Sequence, residues 1–375
     1  MVKLSKIKLS VILVATAFSV MAQAYPGENI VRDPVSGDYI ITYWNAEMDP
    51  PGLETTTFVP ATKIDPSVRS RFSTDRSGTI VYRYTVSSGA QSKQLLGLII
   101  LDPVDSIIGA RDTRGMKWGT SADKNARMAA LDANKKTLTT PPGWDGSVAF
   151  GVSEGNGNNL RIGWDPTYNF ALEKDGEGIK PGGAVRGFGF SSSTLPGIID
   201  AHLSGDSPVH GWSGEGPSED SDIFQQALEI QMHDFVSRNA AVPTIAVPMP
   251  FDAAILLDRI RTHVATWPGK QLIDAAFAAQ LDRYMVAAAD AYRLNQPKAG
   301  KENIKAIRKL LEHEHKYLDH DDEDNDDTAE HKAATRLTID RLAARVLDFD
   351  LRYVLKRTEQ EGDHEHGDGD RKKER

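Results

Sequence analysis

Cysteine is absent from the 375-residue chain, and its absence excludes several kinds of site at once. Without thiols the protein can form no disulfide, no zinc–thiolate or iron–sulfur centre and no cysteine nucleophile. Stability must therefore come from burial of a hydrophobic core, which a chain of this length can form without covalent cross-links.

Long hydrophobic runs and an excess of positive charge are missing as well. After residue 21, no apolar stretch approaches the roughly 20 residues that a transmembrane helix needs. Hydrophobic residues still make up 40% of the chain and charged residues 26%, which is typical of folded proteins. Because 44 Lys and Arg are outnumbered by 53 Asp and Glu, we expect no nucleic acid as the main partner.

The N-terminus has the pattern of a signal peptide. Lys3, Lys6 and Lys8 precede the apolar run 9–21, and Ala22-Gln23-Ala24 matches the small-x-small rule for signal peptidase. We therefore expect segment 1–24 to be cleaved after Ala24 and the mature protein to be secreted or periplasmic. No transmembrane segment is expected to remain after cleavage.

Segment 25–217 consists of short apolar runs separated by Gly, Pro, Asn and Asp. This spacing predicts an antiparallel β-sandwich domain. In one run Ile80, Tyr82 and Tyr84 alternate with other residues, so these three side chains should share a buried face. The predicted strands are Asp38–Trp44, Thr79–Ser87, Gln94–Asp102, Ser147–Val152, Asn159–Trp164 and Gly183–Phe190.

The period becomes helical in segment 251–357, which predicts an antiparallel four-helix bundle. Segment 218–250 is expected to hold a helix and then a Pro-rich connector, because its closely spaced prolines cannot lie inside a helix. An acidic insert (319–330) and a charged His/Asp-rich tail (358–375) complete the predicted organisation. The four apolar stripes are Leu257, Ile260 and Val264; Ile273, Phe277, Leu281, Tyr284 and Ala288; Ile304, Ile307 and Leu311; and Leu342, Val346, Phe349 and Tyr353.

The helical segment resembles the FIMAH domain, a small helical module of exported multidomain proteins. The resemblance is carried by Ile255-Leu256-Leu257-Asp258-Arg259-Ile260, Leu281 with Ala287-Ala288, Ala306-Ile307 with Leu310-Leu311, and the closing stretch from Ile339-Asp340 to Tyr353-Val354-Leu355. It implies an accessory module and carries over no functional residue; the acidic insert departs from the family's shorter connector. The first half is similar to uncharacterised exported β-rich proteins through Arg186-Gly187-Phe188-Gly189-Phe190 and Leu195-Pro196-Gly197.

Catalytic motifs are scarce. Gly151-Val152-Ser153-Glu154-Gly155 fits G-x-S-x-G, but the residues after it favour a hairpin turn rather than the helix that a nucleophile elbow requires. Five of the six tryptophans precede the proline-rich stretch, and exposed indoles can stack on sugar rings or fill a core. We expect Trp118 and Trp144 to be the ligand-binding candidates, because turn-forming Gly or Pro lies close to each.

Histidines concentrate near the C-terminus together with carboxylates. On a helix, Glu312, His315 and Asp319 would share one face, and His364 and His366 lie in the charged tail. Imidazole with carboxylate suits zinc, copper or nickel, whereas carboxylates alone suit calcium. The alternative is a solvated acidic loop and tail without a metal.

These observations predict an exported, non-enzymatic binding protein. The β-rich segment would bind a polysaccharide, an envelope component or a secreted protein, and the helices would form an accessory module. The first alternative is capture of a divalent metal by the His/Asp-rich C-terminus. The second is a secreted hydrolase with an unidentified pair of carboxylates.

Overall fold

The protein has a mixed fold of β-strands and α-helices, as expected. The computed structural model describes residues 25–114, 116–117, 119–150, 160–167, 177–205, 217, 221–232, 234–314 and 338–367, with the backbone alone for 231–232 and 361–367. Within these ranges the strands form three sheets, and every pairing in them is antiparallel.

The elements follow one another from a β-rich half to a helical half. The strands are β1 Asn29–Arg32, β2 Tyr39–Asn45, β3 Gly52–Phe58, β4 Pro66–Thr74, β5 Ile80–Ser88, β6 Leu96–Val104, β7 Leu138–Thr139, β8 Trp144–Phe150, β9 Leu160–Pro166, β10 Ala184–Ser192, β11 Leu195–Gly205 and β12 Val236–Ile245. The helices are α1 Ser121–Lys135, α2 Asp222–Met232, α3 Ala253–Val264, α4 Ala275–Arg293, α5 Pro297–Glu314 and α6 Arg341–Gly367. Each helix in the described part of the chain is too short or too polar to cross a bilayer.

The chain divides into two compact units, and the smaller one is discontinuous in sequence. It combines Met1–Pro60 with Ser207–Asp234, whereas the larger unit combines Ala61–Asp206 with Phe235–Arg375. The boundary predicted near residues 240–250 therefore falls inside the larger unit. The residues on both sides of it belong to one continuous hydrophobic core.

In the smaller unit, α2 covers one face of the sheet β1-β2-β3. Alternation along β2 directs Ile41 and Tyr43 to this face, where they pack with Phe58 of β3. Ile223 and Ala227, one turn apart on α2, complete the core.

The larger unit contains a four-stranded sheet, β4-β5-β10-β7, and a five-stranded sheet, β12-β11-β6-β9-β8. Ile80, Tyr82 and Tyr84 of β5 are at most 3% exposed, so the predicted shared buried face is confirmed. The six predicted strands overlap β2, β5, β6, β8, β9 and β10. The predicted hairpin loop between β8 and β9 and the Ser153 motif lie outside the described residues.

The proline-rich stretch that we predicted to be a connector is largely a strand. It is extended, as expected, but Val236–Ile245 forms β12 and pairs with β11 over most of its length. Pro243 is tolerated because β12 is an edge strand of its sheet and because Pro243 lies opposite Pro196, next to a register shift. A strand of the β-rich half is thus contributed from beyond the predicted β-sandwich segment.

Helices α3 to α6 contact one another in sequence, and α6 also contacts α3, β11 and β12. The predicted stripes of α3 and α5 are fully buried. On α6, by contrast, only Val346 of the four predicted stripe residues is buried, and the rest are half-buried. Because α6 lies against helices and strands at once, its buried surface extends to Ala343, Leu347 and Leu351.

Candidate functional site

The predicted metal site is only partly within the described residues. Glu312 of α5 is exposed, and its carboxylate lies 3.8 Å from the Arg308 guanidinium. His315 and Asp319 lie outside the described residues. His364 and His366 fall in α6, where only the backbone is described. Among the side chains that the structure describes, no three potential metal ligands come together.

The arginine beside Glu312 belongs to a structural ion network between two helices. Arg308 Nε and Arg352 Nε each lie 2.7 Å from a different carboxylate oxygen of Asp348. Asp348 is 6% exposed, and a buried carboxylate is stable only with such partners. These contacts join α5 to α6. Glu312 lies at the edge of this ion network, beside Arg308.

The predicted stacking residue Trp144 is part of the core. It is 6% exposed, and its ring packs edge-on against Phe188 with a centroid distance of 5.1 Å. A ring enclosed in this way has no free face for a sugar, so Trp144 does not form a binding platform in this structure. Trp118 lies outside the described residues.

Exposed aromatic side chains do occur on the smaller unit, on the sheet face opposite α2. Along β2 the residues that alternate with the core positions are Ile40, Thr42 and Trp44. Tyr25 stacks on Trp44 with a centroid distance of 5.1 Å and an interplanar angle of 17°. Tyr25 is 52% exposed and Trp44 is half-buried, so the pair presents a ring surface to solvent.

A single carboxylate holds this ring pair in place. Glu28 accepts one hydrogen bond from the backbone N–H of Tyr25 and another from the backbone N–H of Trp44, each at 2.8 Å. Gly27 precedes it with a φ of +99°, a conformation that a side chain would strain. The turn and the carboxylate together fix the backbone on which the two rings are mounted.

Hydroxyl and aliphatic groups continue the same face. The register pairs Trp44 with Leu53, Thr42 with Thr55 and Ile40 with Thr57. The Thr42 and Thr55 hydroxyls lie 3.1 Å apart and are exposed. We call the outer side chains of this sheet, together with Tyr25, the aromatic face; its members are Tyr25, Asn29, Val31, Ile40, Thr42, Trp44, Leu53, Thr55 and Thr57.

A shallow cleft of about 440 Å³ lies beside α2 in the same unit. Its lining combines Tyr39 with Gln226, Glu229, Ile230 and Asp234. The two carboxylates make this cleft acidic, in contrast to the uncharged aromatic face.

The described carboxyl group with a markedly raised pKa is buried in the core. Asp350 of α6 is 1% exposed, and burial raises its pKa well above the ordinary range. It interacts electrostatically with the buried Tyr82, whose hydroxyl donates to the carbonyl of Thr194. A general acid for glycoside hydrolysis must reach substrate, so Asp350 is poorly placed for the hydrolase hypothesis.

Sequence and fold match no family model, no curated protein and no solved structure. The functional argument therefore rests on the geometry of the side chains. Sequence reasoning missed the aromatic face, although it contained the signal: the predicted strand Asp38–Trp44 already places Ile40, Thr42 and Trp44 on one side. The sequence pattern does not indicate which side of this sheet is covered by α2.

Proposed function

We propose that the protein is an exported, non-enzymatic polysaccharide-binding protein that uses the aromatic face. The observation that carries this proposal is the stacked pair of Tyr25 and Trp44 beside the Thr42 and Thr55 hydroxyls. Sugar rings offer C–H groups that pack on aromatic rings and hydroxyls that exchange hydrogen bonds with threonine. An exposed sheet face offers room for an extended chain of such rings.

Export, with cleavage after Ala24, is part of the same proposal. Cleavage would convert the Tyr25 nitrogen into an α-ammonium group 2.8 Å from Glu28 Oε2. The resulting charge-assisted hydrogen bond would be stronger than the neutral one. It would also hold the Tyr25 ring more firmly on Trp44, so maturation would favour the binding geometry.

The finer architecture is proposed on packing grounds. We infer that the four- and five-stranded sheets are the layers of the expected β-sandwich. The ring centroids of Tyr84 and Phe190, in the four-stranded sheet, lie 6.1 and 6.4 Å from the ring centroid of Trp164 in the five-stranded sheet. Helices α3 to α6 are the natural candidates for the expected four-helix bundle. Their likeness to the FIMAH domain supports an accessory role for them.

Binding of the full mature chain to insoluble cellulose, chitin and starch tests the proposal. We expect saturable binding to at least one of them. Tyr25→Ala should lower the affinity about twofold to tenfold, in line with the ~0.5–1.5 kcal/mol of an aromatic stacking contact. Tyr25 lies at the surface, so the variant should remain folded.

Val35→Ala is the matched control for this experiment. Val35 is 94% exposed in the turn between β1 and β2, so the change removes exposed apolar area from the same unit without touching the ring pair. Equal binding by Tyr25→Ala and the wild type would refute the proposed site. Lack of binding to all three polysaccharides would refute the ligand class.

A further inference from the structure

Four arginines project from the outer face of the four-stranded sheet. Alternation along β4 and β5 places Tyr82 and Tyr84 in the core and Arg69, Arg71 and Arg83 on the opposite side. Arg186 of β10 joins them, and all four side chains are exposed. We call these four residues and the outward positions between them the arginine face.

The strand register brings these arginines close together. Arg71 lies directly opposite Arg83, while Thr85 lies opposite Arg69 on one side and Arg186 on the other. Neighbouring strands are about 4.8 Å apart, so the Arg69 and Arg186 backbones are separated by roughly two strand spacings. The four guanidinium groups therefore occupy one patch across three adjacent strands.

A bulge in β10 is what places Arg186 on this face. The register shifts between Arg186 and Phe188, with Gly187 as the extra residue at a φ of +103°. The extra residue lets Arg186 point outwards while Phe188 points into the core. At the next outward position stands Gly189, opposite Arg83, where a Cβ would lie only 2.3 Å from the backbone carbonyl oxygen of Tyr82.

Sheet stability does not explain this arrangement. Like charges directly opposite each other on adjacent strands are destabilising, and Arg71 and Arg83 form such a pair. A threonine at either position would favour the strand without the repulsion. Both side chains are nevertheless exposed, so a ligand at this face can reach them.

The acidic residues elsewhere in the chain act on this face only over short distances. At physiological ionic strength, charges separated by more than about 8 Å are largely screened. None of the outward positions on β4, β5 and β10 is acidic. Most of the outward residues other than the four arginines carry a hydroxyl group. The outward residues other than the arginines are Ser67, Ser73, Val81, Thr85, Ser87, Ala184, Gly189 and Ser191.

We propose that the arginine face binds a polysaccharide that carries sulfate or carboxylate groups. Guanidinium groups form forked hydrogen bonds with such anions, and serine and threonine hydroxyls between them can bond to the sugar. Single-stranded nucleic acid would require aromatic rings for its bases, and the outward positions of these strands include none. A membrane surface would require exposed apolar side chains, whereas Val81 is half-buried.

Retention of the full mature chain on immobilised dextran sulfate, compared with uncharged dextran, tests this inference. We expect retention on dextran sulfate alone and elution as salt is raised. Arg83→Gln should weaken binding about threefold to fivefold, the range of one exposed ion pair, and Arg83→Lys should restore part of the loss. Arg83→Gln should also raise the urea midpoint, because it removes the repulsion from Arg71.

Arg283→Gln is the matched control, since it makes the same change in net charge on the exposed surface of α4. The proposal is overturned if both variants weaken binding equally, if neither does, or if an oligonucleotide or anionic vesicles displace the protein from dextran sulfate. Tyr25→Ala, tested on the same column, separates this site from the aromatic face. It should leave retention on dextran sulfate unchanged, so either proposal can fail while the other stands.

Discussion

Acidification should destabilise the larger unit through one imidazole, that of His263 on α3. Its Nε2 atom accepts a hydrogen bond of 2.7 Å from the backbone N–H of Ile198 on β11. Gly197 allows this close approach, because a Cβ there would lie 2.6 Å from the same Nε2 atom. Since Nε2 is the acceptor, the ring must be neutral and carry its proton on Nδ1.

The environment of His263 favours this neutral form. Burial, with a smaller contribution from the charge of Lys270, lowers the pKa of His263 from 6.5 to about 4. Protonation would place a charge where desolvation disfavours it and would direct an N–H at the Ile198 N–H. The folded state therefore resists a proton that the unfolded chain accepts.

The size of the effect follows from this difference in pKa. The unfolded chain begins to gain the proton near pH 6.5, so stability is fully present above that pH and falls as the pH approaches the folded value. Each unit of pKa difference corresponds to about 1.4 kcal/mol. We expect a loss of about 2 kcal/mol by about pH 5 and about 3 kcal/mol by about pH 4.

Urea unfolding of the wild type and His263→Gln at several pH values isolates this contribution. Glutamine can still accept a hydrogen bond from Ile198 but does not titrate, so all other groups cancel in the comparison. Trp164 and Trp267 are at most 1% exposed, and their fluorescence reports on the larger unit. The stability of the wild type relative to the variant should fall by about 2 kcal/mol between about pH 7.5 and about pH 5.

His202→Gln serves as the control for removal of an imidazole. His202 lies on β11 of the same unit and contacts the Ser237 hydroxyl at 3.4 Å rather than a buried backbone N–H. If the pH profile of His263→Gln differs from that of the wild type no more than the profile of His202→Gln does, the neutral, buried imidazole is refuted.

Three further outcomes are expected. Asp350→Asn should gain stability relative to the wild type as pH rises above 3.8, by about 1.4 kcal/mol per pH unit while the folded carboxyl keeps its proton; a constant difference in urea unfolding would contradict this. Trp144→Ala should lower the free energy of unfolding by about 3–5 kcal/mol, as expected for a buried aromatic ring. If the urea midpoint falls no more than it does in a surface variant, the ring is not in the core. Asn134→Ala should cost about 1–3 kcal/mol, because the Asn134 amide bonds both the N–H and the carbonyl of Arg111; unchanged thermal unfolding would contradict it.

The elements that sequence reasoning found are those whose local pattern agrees with their burial. In β5 the alternation of Ile80, Tyr82 and Tyr84 matches the buried face, and the apolar stripe of α5 is buried throughout. Strand β11 was missed because Pro196 and Gly197 favour a turn, whereas here Gly197 allows the approach of His263. Helix α1 was missed because it has hardly any apolar stripe: only Ala130 and Asn134 are buried.

The candidate site was harder to predict because it depends on tertiary burial. Trp44 and Trp144 both stand at the end of an apolar run or beside a turn. No feature of the neighbouring sequence shows which of the two is buried. In the structure, Phe188 encloses Trp144, whereas Tyr25 joins Trp44 on an open face. The arginine face could not be predicted from the sequence, because it depends on the register of three strands. The residue pattern within one strand does not reveal that register.

The discontinuity of the smaller unit sets an order for its assembly during synthesis. Strands β1 to β3 leave the ribosome early, but α2, which covers their apolar face, begins only at Asp222. At about 5–20 residues per second, the helix follows on the order of ten to thirty seconds later. During that interval Ile41, Tyr43 and Phe58 lack their cover, which gives a chaperone or the export machinery time to bind the unfolded segment before the unit can close.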